Sequence, residues 1–214
     1  MKKSIAILLQ SVLLLFSCVQ NPTASTSTKE TKTGGLCEGC EAIYESPVPF
    51  EKLENMCWLP DWNESGTRLA VNGTVFNTDG SPVAGVIIYI YHTDQQGVYP
   101  KKRDEKGWAK HHGYIRGWMK TNEKGEYKFF TSKPASYPGS RNPGHIHVII
   151  KGPGKNEYWI DDYLFDDDPY LTQEERKRLL NRGGSGIIKT IDSGNMLKAE
   201  RDIYLGKNIP GYRN

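Results

Sequence analysis

Between residues 69 and 150 the chain alternates short runs of β-branched and aromatic residues with dense turn chemistry, and this alternation limits the fold more than any other feature. Residues 69–76, 86–92, 114–121, 126–131 and 145–150 each read as a strand. The separators are Asn77-Thr78-Asp79-Gly80-Ser81-Pro82, Thr93-Asp94-Gln95-Gln96-Gly97, Asn122-Glu123-Lys124-Gly125 and Pro143-Gly144, all rich in residues that tolerate turn geometry. Residues 86–92 are apolar on both faces, which predicts a strand covered from both sides. Asn122 to Gly125 reads as a hairpin turn, and residues 101–112, charged and without apolar periodicity, as a long loop. Further on, residues 157–165 read as extended and Asp166-Asp167-Asp168-Pro169 as a solvated stop. Thr172 with Glu175 forms a capping box for one short helix, closed by Gly183-Gly184, and residues 201–205 make a last strand. Strands at this spacing predict an all-β domain, an antiparallel β-sandwich over residues 66–214.

The 214 residues suffice for one domain with a core, and the formal charge of +3 gives no concentrated basic face for nucleic acid. Residues 1–17 carry Lys2 and Lys3 and then a short apolar run, the pattern of a signal segment too short to span a bilayer permanently. The run ends Leu15-Phe16-Ser17-Cys18, similar to a bacterial lipobox, which predicts Cys18 as a lipidated first residue. The expected address is the cell envelope, on the periplasmic face or the cell surface, with the outer membrane the expected membrane. Residues 18–36 have almost nothing to bury and read as a flexible, disordered N-terminal tether. Residues 37–65 read as an N-terminal flap. One Cys-x-x-Cys, Cys37 to Cys40, is half of what a zinc ribbon needs. In an oxidising compartment a disulfide from Cys37 or Cys40 to Cys57 is the expectation.

The residues that carry chemistry cluster late. His145 and His147 sit two apart on a strand and so project from one face, a stiff pair of nitrogen donors for a metal. Their neighbours in sequence are Tyr137-Pro138 upstream and Gly97-Val98-Tyr99 after the apolar strand. His92 reads as a core or strand-end histidine, and His111-His112 as solvated, with a supporting role near the pocket as the alternative. Trp108, Tyr114 and Trp118 read as sandwich packing. Ser136 and Ser140 lie near His145, but no Gly-x-Ser-x-Gly elbow is present. No carboxylate stands at a position comparable with the histidines.

In order along the chain, these segments resemble the intradiol ring-cleavage dioxygenases, which open catechols. Gly73 to Val86 is similar to that family's entry hairpin, and Tyr91-His92-Thr93-Asp94 with Gly97-Val98-Tyr99 to the segment ending in its first ligand tyrosine. Residues 121–129 resemble its Thr-Asp-x-x-Gly-x-Tyr-x-Phe hairpin, and Tyr137-Pro138 with Pro143-Gly144-His145-Ile146-His147 its second tyrosine and histidine pair. The resemblance implies an intradiol dioxygenase-like sandwich and Fe(3+) held by Tyr99, Tyr137, His145 and His147 together with a hydroxide. It implies that a catechol binds through both oxygens, displacing the hydroxide and the axial Tyr137, with Tyr99 and His145 equatorial and His147 opposite Tyr137. O2 then cleaves the ring to a cis,cis-muconate-type diacid. Where the family has an arginine before the histidines, this chain has Asn142, with Arg141 one residue earlier, so both are candidates for steadying the developing anion. Two readings stand beside this one: a non-catalytic β-sandwich binding module, and a metal-holding relic of the family that binds catechols without turnover.

Overall fold

The computed structural model describes residues 32–213. The expected signal segment, Cys18 and most of the tether lie outside the described residues. Among the described residues eleven strands run in chain order: β1 (Met56–Trp58), β2 (Arg68–Phe76), β3 (Ile87–His92), β4 (Arg116–Lys120), β5 (Glu126–Ser132), β6 (His145–Lys151), β7 (Tyr158–Phe165), β8 (Ile187–Ile188), β9 (Ile191–Asp192), β10 (Leu197–Glu200) and β11 (Ile203–Tyr204). Two short α-helices, α1 (Ala109–His112) and α2 (Gln173–Arg178), and 3₁₀ turns at Cys40–Glu45, Phe50–Lys52 and Pro60–Asn63 complete the elements. Thr172 caps α2 as expected, its Oγ1 accepting from Glu175 N at 3.3 Å. Residues 109–112, expected as loop, form α1, with Trp108 packed on the outer apolar cluster and Ala109 and His112 buried.

The strands form two sheets. One has the order β1-β5-β2-β10-β9, with β11 also on β2; the other has the order β4-β3-β6-β7-β8. The sheets are mixed rather than purely antiparallel, since β1–β5, β2–β10, β2–β11 and β7–β8 pair in parallel. The Asn122–Gly125 turn exists, with Gly125 N donating to Asn122 O, but it does not make a hairpin. β4 pairs with β3 and β5 with β2, so the turn carries the chain from one sheet to the other. The segment between β2 and β3 crosses in the same way. Crossing lets both strands that flank each turn bury a face in one shared core. That core holds Val71, Val75, Tyr127 and Phe129 from one sheet against Ile88, Ile90, Met119, Ile146, Val148 and Ile150 from the other. Each such side chain, wholly removed from water, contributes about 1.5–3 kcal/mol.

The outer face of the second sheet is also covered. Ile87, Tyr89 and Ile149 pack against Cys40, Ala42 and Ile43 of the N-terminal flap, and Trp118 Nε1 donates to Ile43 O at 2.9 Å. Trp108 and Trp118 belong to this outer layer, outside the sandwich interior where they were expected. The flap's β1 is itself a strand of the first sheet, so the segment is woven into the domain. The last residues of the expected tether are ordered too: Gly34 N donates to Pro210 O, Arg182 donates to Gly34 O, and Lys32 pairs with Glu157.

The disulfide joins Cys37 to Cys40, and Cys57 is free. This corrects the expected pairing to Cys57. Cys40 is buried in the outer layer, whereas Cys57 lies against the interior core beside Gly117. The second sheet stands between them.

Candidate metal centre

His145 and His147 alternate with Ile146 and Val148 along β6, so the two imidazoles share the outer face while the aliphatic residues fill the core. Their far nitrogens are fixed. His145 Nδ1 lies 2.7 Å from Pro143 O, a carbonyl that can only accept, so Nδ1 carries the proton and Nε2 a free lone pair. His147 Nδ1 lies 3.1 Å from Asp162 Oδ1, which fixes the same tautomer when the carboxylate is ionised. Burial works against that ionisation, but His147 and then His145 outweigh it and hold the Asp162 carboxyl below the usual range. The two Nε2 atoms face one another at 3.1 Å.

The tyrosines arrive from two loops that are zipped together. Thr93 Oγ1 donates to Ala135 O at 2.9 Å, and Ala135 N donates to Asp94 O at 3.1 Å. Asp94 Oδ1 accepts from Gln96 N and Val98 N, shaping the turn that delivers Tyr99. Gly97 is the closest approach: it has φ +75°, and a Cβ there would stand 1.9 Å from Ser136 O. Tyr137 opens a turn with Pro138 second and Gly139 third at φ +72°, closed by Ser140 N donating to Tyr137 O, the residue pattern of a type II turn.

These loops bring the phenols onto the imidazoles. Tyr99 Oη lies 2.6 Å from Tyr137 Oη and 2.9 Å from His147 Nε2, and Tyr137 Oη lies 3.2 Å from His145 Nε2 and 3.4 Å from His147 Nε2. All four residues expected as ligands are thus brought together. Donors on metal bonds of about 2 Å stand roughly 2.8–3.4 Å apart at angles near 90–110°, so the atoms are gathered at close to ligand spacing. The polar bookkeeping points the same way. Two phenol protons cannot serve four phenol contacts and also separate two facing lone pairs, whereas one cation satisfies all four donors. Burial first, and Tyr137 beside it next, push the Tyr99 phenol far up; burial also raises Tyr137 and lowers His145. The set therefore becomes anionic only against a bound positive charge. Iron(III), a hard cation, suits two phenolates and two neutral imidazoles. Tyr137 Oη is nearer His147 Nε2 than the roughly 4 Å that opposite ligands would need, so the axial opposition implied by the resemblance is not displayed.

Asp162 is the residue the sequence reading missed. It groups with His145 and His147 as a potential metal-ligating cluster, which corrects the expectation that no carboxylate accompanies the histidines. Its place is behind His147, on Nδ1, while Nε2 faces the phenols. The cause is a β-bulge: the β6–β7 register shifts between Ile146 and Val148, so that Asp161 and Asp162 together oppose His147. Bulges re-aim side chains beside functional sites. A short Asp-Asp within an aromatic strand does not advertise that geometry.

His92 is a core histidine, as expected, with its nitrogens at Thr93 O and Thr131 Oγ1. His111 is exposed, but His112 is buried rather than solvated. A cleft of about 470 Å³ opens over Tyr137, His145, His147 and Asn142, walled by Trp159 and Leu179 among others. Asn142 lines it; Arg141 is exposed and is not among its lining residues.

A family profile described as Dioxygenase matches residues 50–179, well over half of the chain. The chain belongs to the intradiol dioxygenase family. Protocatechuate 3,4-dioxygenase beta chain of Burkholderia cepacia is 27% identical over 155 residues, 65% of either chain. Catechol 1,2-dioxygenase 1 of Acinetobacter lwoffii is 29% identical over 136 residues, 53% of this chain and 43% of its own. This dioxygenase homologue therefore spans less than two thirds of those relatives' length. Among solved structures, the dioxygenase domain of a dioxygenase carbohydrate-binding protein fusion from Streptomyces sp. SirexAA-E matches with a TM-score of 0.55 at 23% identity, covering 75% of this chain and 94% of that one. Catechol 1,2-dioxygenase from Acinetobacter sp. ADP1 matches with a TM-score of 0.53 at 18% identity, covering 72% of this chain and 57% of that one. At such identities the solved structures speak for the fold alone.

Proposed function

We propose that the protein is a non-haem Fe(III) intradiol dioxygenase that cleaves a catechol-type aromatic diol with O2 to a cis,cis-muconate-type diacid. The observation that carries this reading is the convergence of Tyr99, Tyr137, His145 and His147 on one point at the floor of a cleft. A ferric ion held there would supply a Lewis acid that makes a chelated catechol ionise and donate electron density toward O2. Tyr137 lines the cleft and Tyr99 does not, so Tyr137 Oη is the base placed to take a proton from an incoming diol. Asp162 keeps His147 in the tautomer whose Nε2 lone pair faces inward. Trp159, Leu164, Leu171 and Leu179 give the cleft apolar walls that suit an aromatic ring. Asn142, in the family arginine's place, offers an amide N–H to oxygen that gains charge as the ring opens.

Iron loading tests the ligand set directly. The loaded protein should be burgundy from tyrosinate-to-iron charge transfer, and O2 uptake with a panel of catechols should follow. Colourless protein with its fold intact would refute the ligand assignment. Coloured protein that consumes no O2 with any catechol would leave the metal-holding reading. We also propose attachment to the cell envelope through lipidated Cys18; labelling by a fatty acid that persisted in Cys18→Ala would overturn it.

A further inference from the structure

The outer face of the second sheet carries a row of rings leading away from the metal centre. Tyr91 and His147 are direct cross-strand partners on β3 and β6, and their rings stack at 4.5 Å with planes 24° apart. On Tyr91 lies a second imidazole, His112 of α1, at 3.7 Å and 7°. His112 is 6% exposed, and its Nδ1 lies 2.8 Å from Tyr89 Oη, so its ring is fixed in two directions. The flap closes the row. Gly39, at φ +76°, lies so near that a Cβ on it would stand 3.0 Å from His112 Nε2, and the Cys37–Cys40 disulfide brackets that glycine. Cys37 and Glu38 share a cavity of about 270 Å³ with Tyr91, His147 and Asp162.

We infer that His112 is a positioning residue for the metal centre, acting through Tyr91 on the ring plane of His147. The inference rests on the ferric reading above and adds a residue to it. Asp162 fixes His147 through one atom, which leaves the imidazole free to rock about that hydrogen bond. Tyr91 stacked on the imidazole opposes that rocking, and His112 stacked on the far side of Tyr91 keeps Tyr91 from giving way. No metal ligand touches His112 directly, so its effect must pass through Tyr91.

The experiment is a double-mutant cycle on iron(III) affinity, measured by chelator competition, with the charge-transfer band and the melting temperature read on each variant. His112→Ala should weaken iron binding about 10-fold and shift the band, the low end of the loss expected for groups that support a ligand. Tyr91→Leu should weaken it at least as much, and His112→Ala added to Tyr91→Leu should cost nothing further. His112→Phe keeps the ring without the polar atom and should bind within about threefold of the unchanged chain. His112→Asn keeps a polar atom without the ring and should bind like alanine. The Phe–Asn comparison decides the matter if His112→Ala fails to fold. The inference is overturned if His112→Asn binds iron like the unchanged chain with the same band, or if the losses at 91 and 112 add. An unchanged chain that takes up no iron would overturn the ferric reading instead, and this one with it.

Discussion

The substitution Gly97→Ala tests how the centre is assembled, because Gly97 is where the Tyr99 loop meets the Tyr137 loop. A Cβ at residue 97 would lie 1.9 Å from Ser136 O and 2.8 Å from Ser136 C, against backbone that cannot swing aside. The loops must part by about 1 Å or more to restore ordinary contact. Alanine at φ +75° costs about 1–2 kcal/mol by itself. Parting the loops weakens Thr93 Oγ1 to Ala135 O and Ala135 N to Asp94 O, about 1 kcal/mol each. The sum is about 3–4 kcal/mol, a fall of roughly 6–16 °C in melting temperature for a domain of this size. Separation of the phenols should also weaken iron binding, since displacement of the order of 1 Å is severe for a preorganised site. Gly139→Ala is the control: its φ is +72° and nothing lies within 4 Å of the added Cβ. It should cost only the backbone preference and leave iron affinity nearly intact. Thermal melts of the metal-free variants and an iron titration make the comparison. If Gly97→Ala melts within 2–3 °C of Gly139→Ala and binds iron equally, close loop approach does not build the site.

Asp162→Ala should weaken iron binding roughly 10- to 100-fold, measured by chelator competition, and Asp162→Asn less, because its amide oxygen can still accept from His147 Nδ1. Tyr99→Phe and Tyr137→Phe should each change the visible charge-transfer band of iron-loaded protein; a band unmoved by either would remove that tyrosine from the centre. Burial, partly offset by the backbone of Trp118, pushes the Cys57 thiol up to about 11. Its thiolate fraction therefore stays small through neutral pH and grows as pH rises toward that value. Iodoacetamide labelling at pH 8 should run on the order of 100-fold slower than in the unfolded chain, and labelling at equal rates would refute the burial argument. Lys32 and Tyr44 hydrogen-bond Glu157, and although burial opposes its ionisation the net effect is a lowered pKa. Its contribution to holding residues 32–44 is complete above the ordinary glutamate range and is lost as pH falls through the lowered folded value. Hydrogen-exchange protection of residues 32–44, taken relative to the intrinsic rate at each pH, should fall on acidification, and Glu157→Gln should remove that dependence.

What could be read from the sequence was whatever depends on spacing within one segment. His145 and His147 share a face because a strand alternates, and Gly97 announces a turn because few other residues accept its angles. The capping box at Thr172 is equally local. What escaped depends on which segments meet. Asn122 to Gly125 has hairpin chemistry, yet its strands part because each finds a better partner, β3 and β2, on opposite sides of one core. Cys57 lost its expected partner to the sheet between it and Cys40. His112 looked solvated because Lys110 and His111 beside it are exposed, while the ring that buries it, Tyr91, is a β3 residue 21 positions earlier. Asp162 was hidden by a single register shift.

The four donors differ in how firmly they are held, and the difference follows the elements that carry them. His145 and His147 stand on β6, in the middle of its sheet between β3 and β7, with their far nitrogens tied to Pro143 and Asp162. Tyr99 follows a turn whose backbone is pinned by Asp94 and by the facing loop. Tyr137 starts a turn whose next two residues, Pro138 and Gly139, are exposed, and among the described residues its side-chain hydrogen-bonding contacts are the other three donors. A centre that admits a two-oxygen substrate must release one donor without losing the rest. The Tyr99 phenol also bonds only within the centre, but its ring lies 6.0 Å from Tyr91, whereas the ring contacts of Tyr137 are with Tyr99 and His145, so Tyr137 is the donor whose release costs least. Loosening its turn by Ser140→Pro, which removes the Ser140 N–H that closes the turn on the Tyr137 carbonyl, should speed catechol binding while leaving iron affinity within a few-fold. Stopped-flow mixing of iron-loaded protein with a catechol measures that rate from the change in the charge-transfer band. An unchanged rate, with the turn demonstrably loosened, would mean that a different donor gives way.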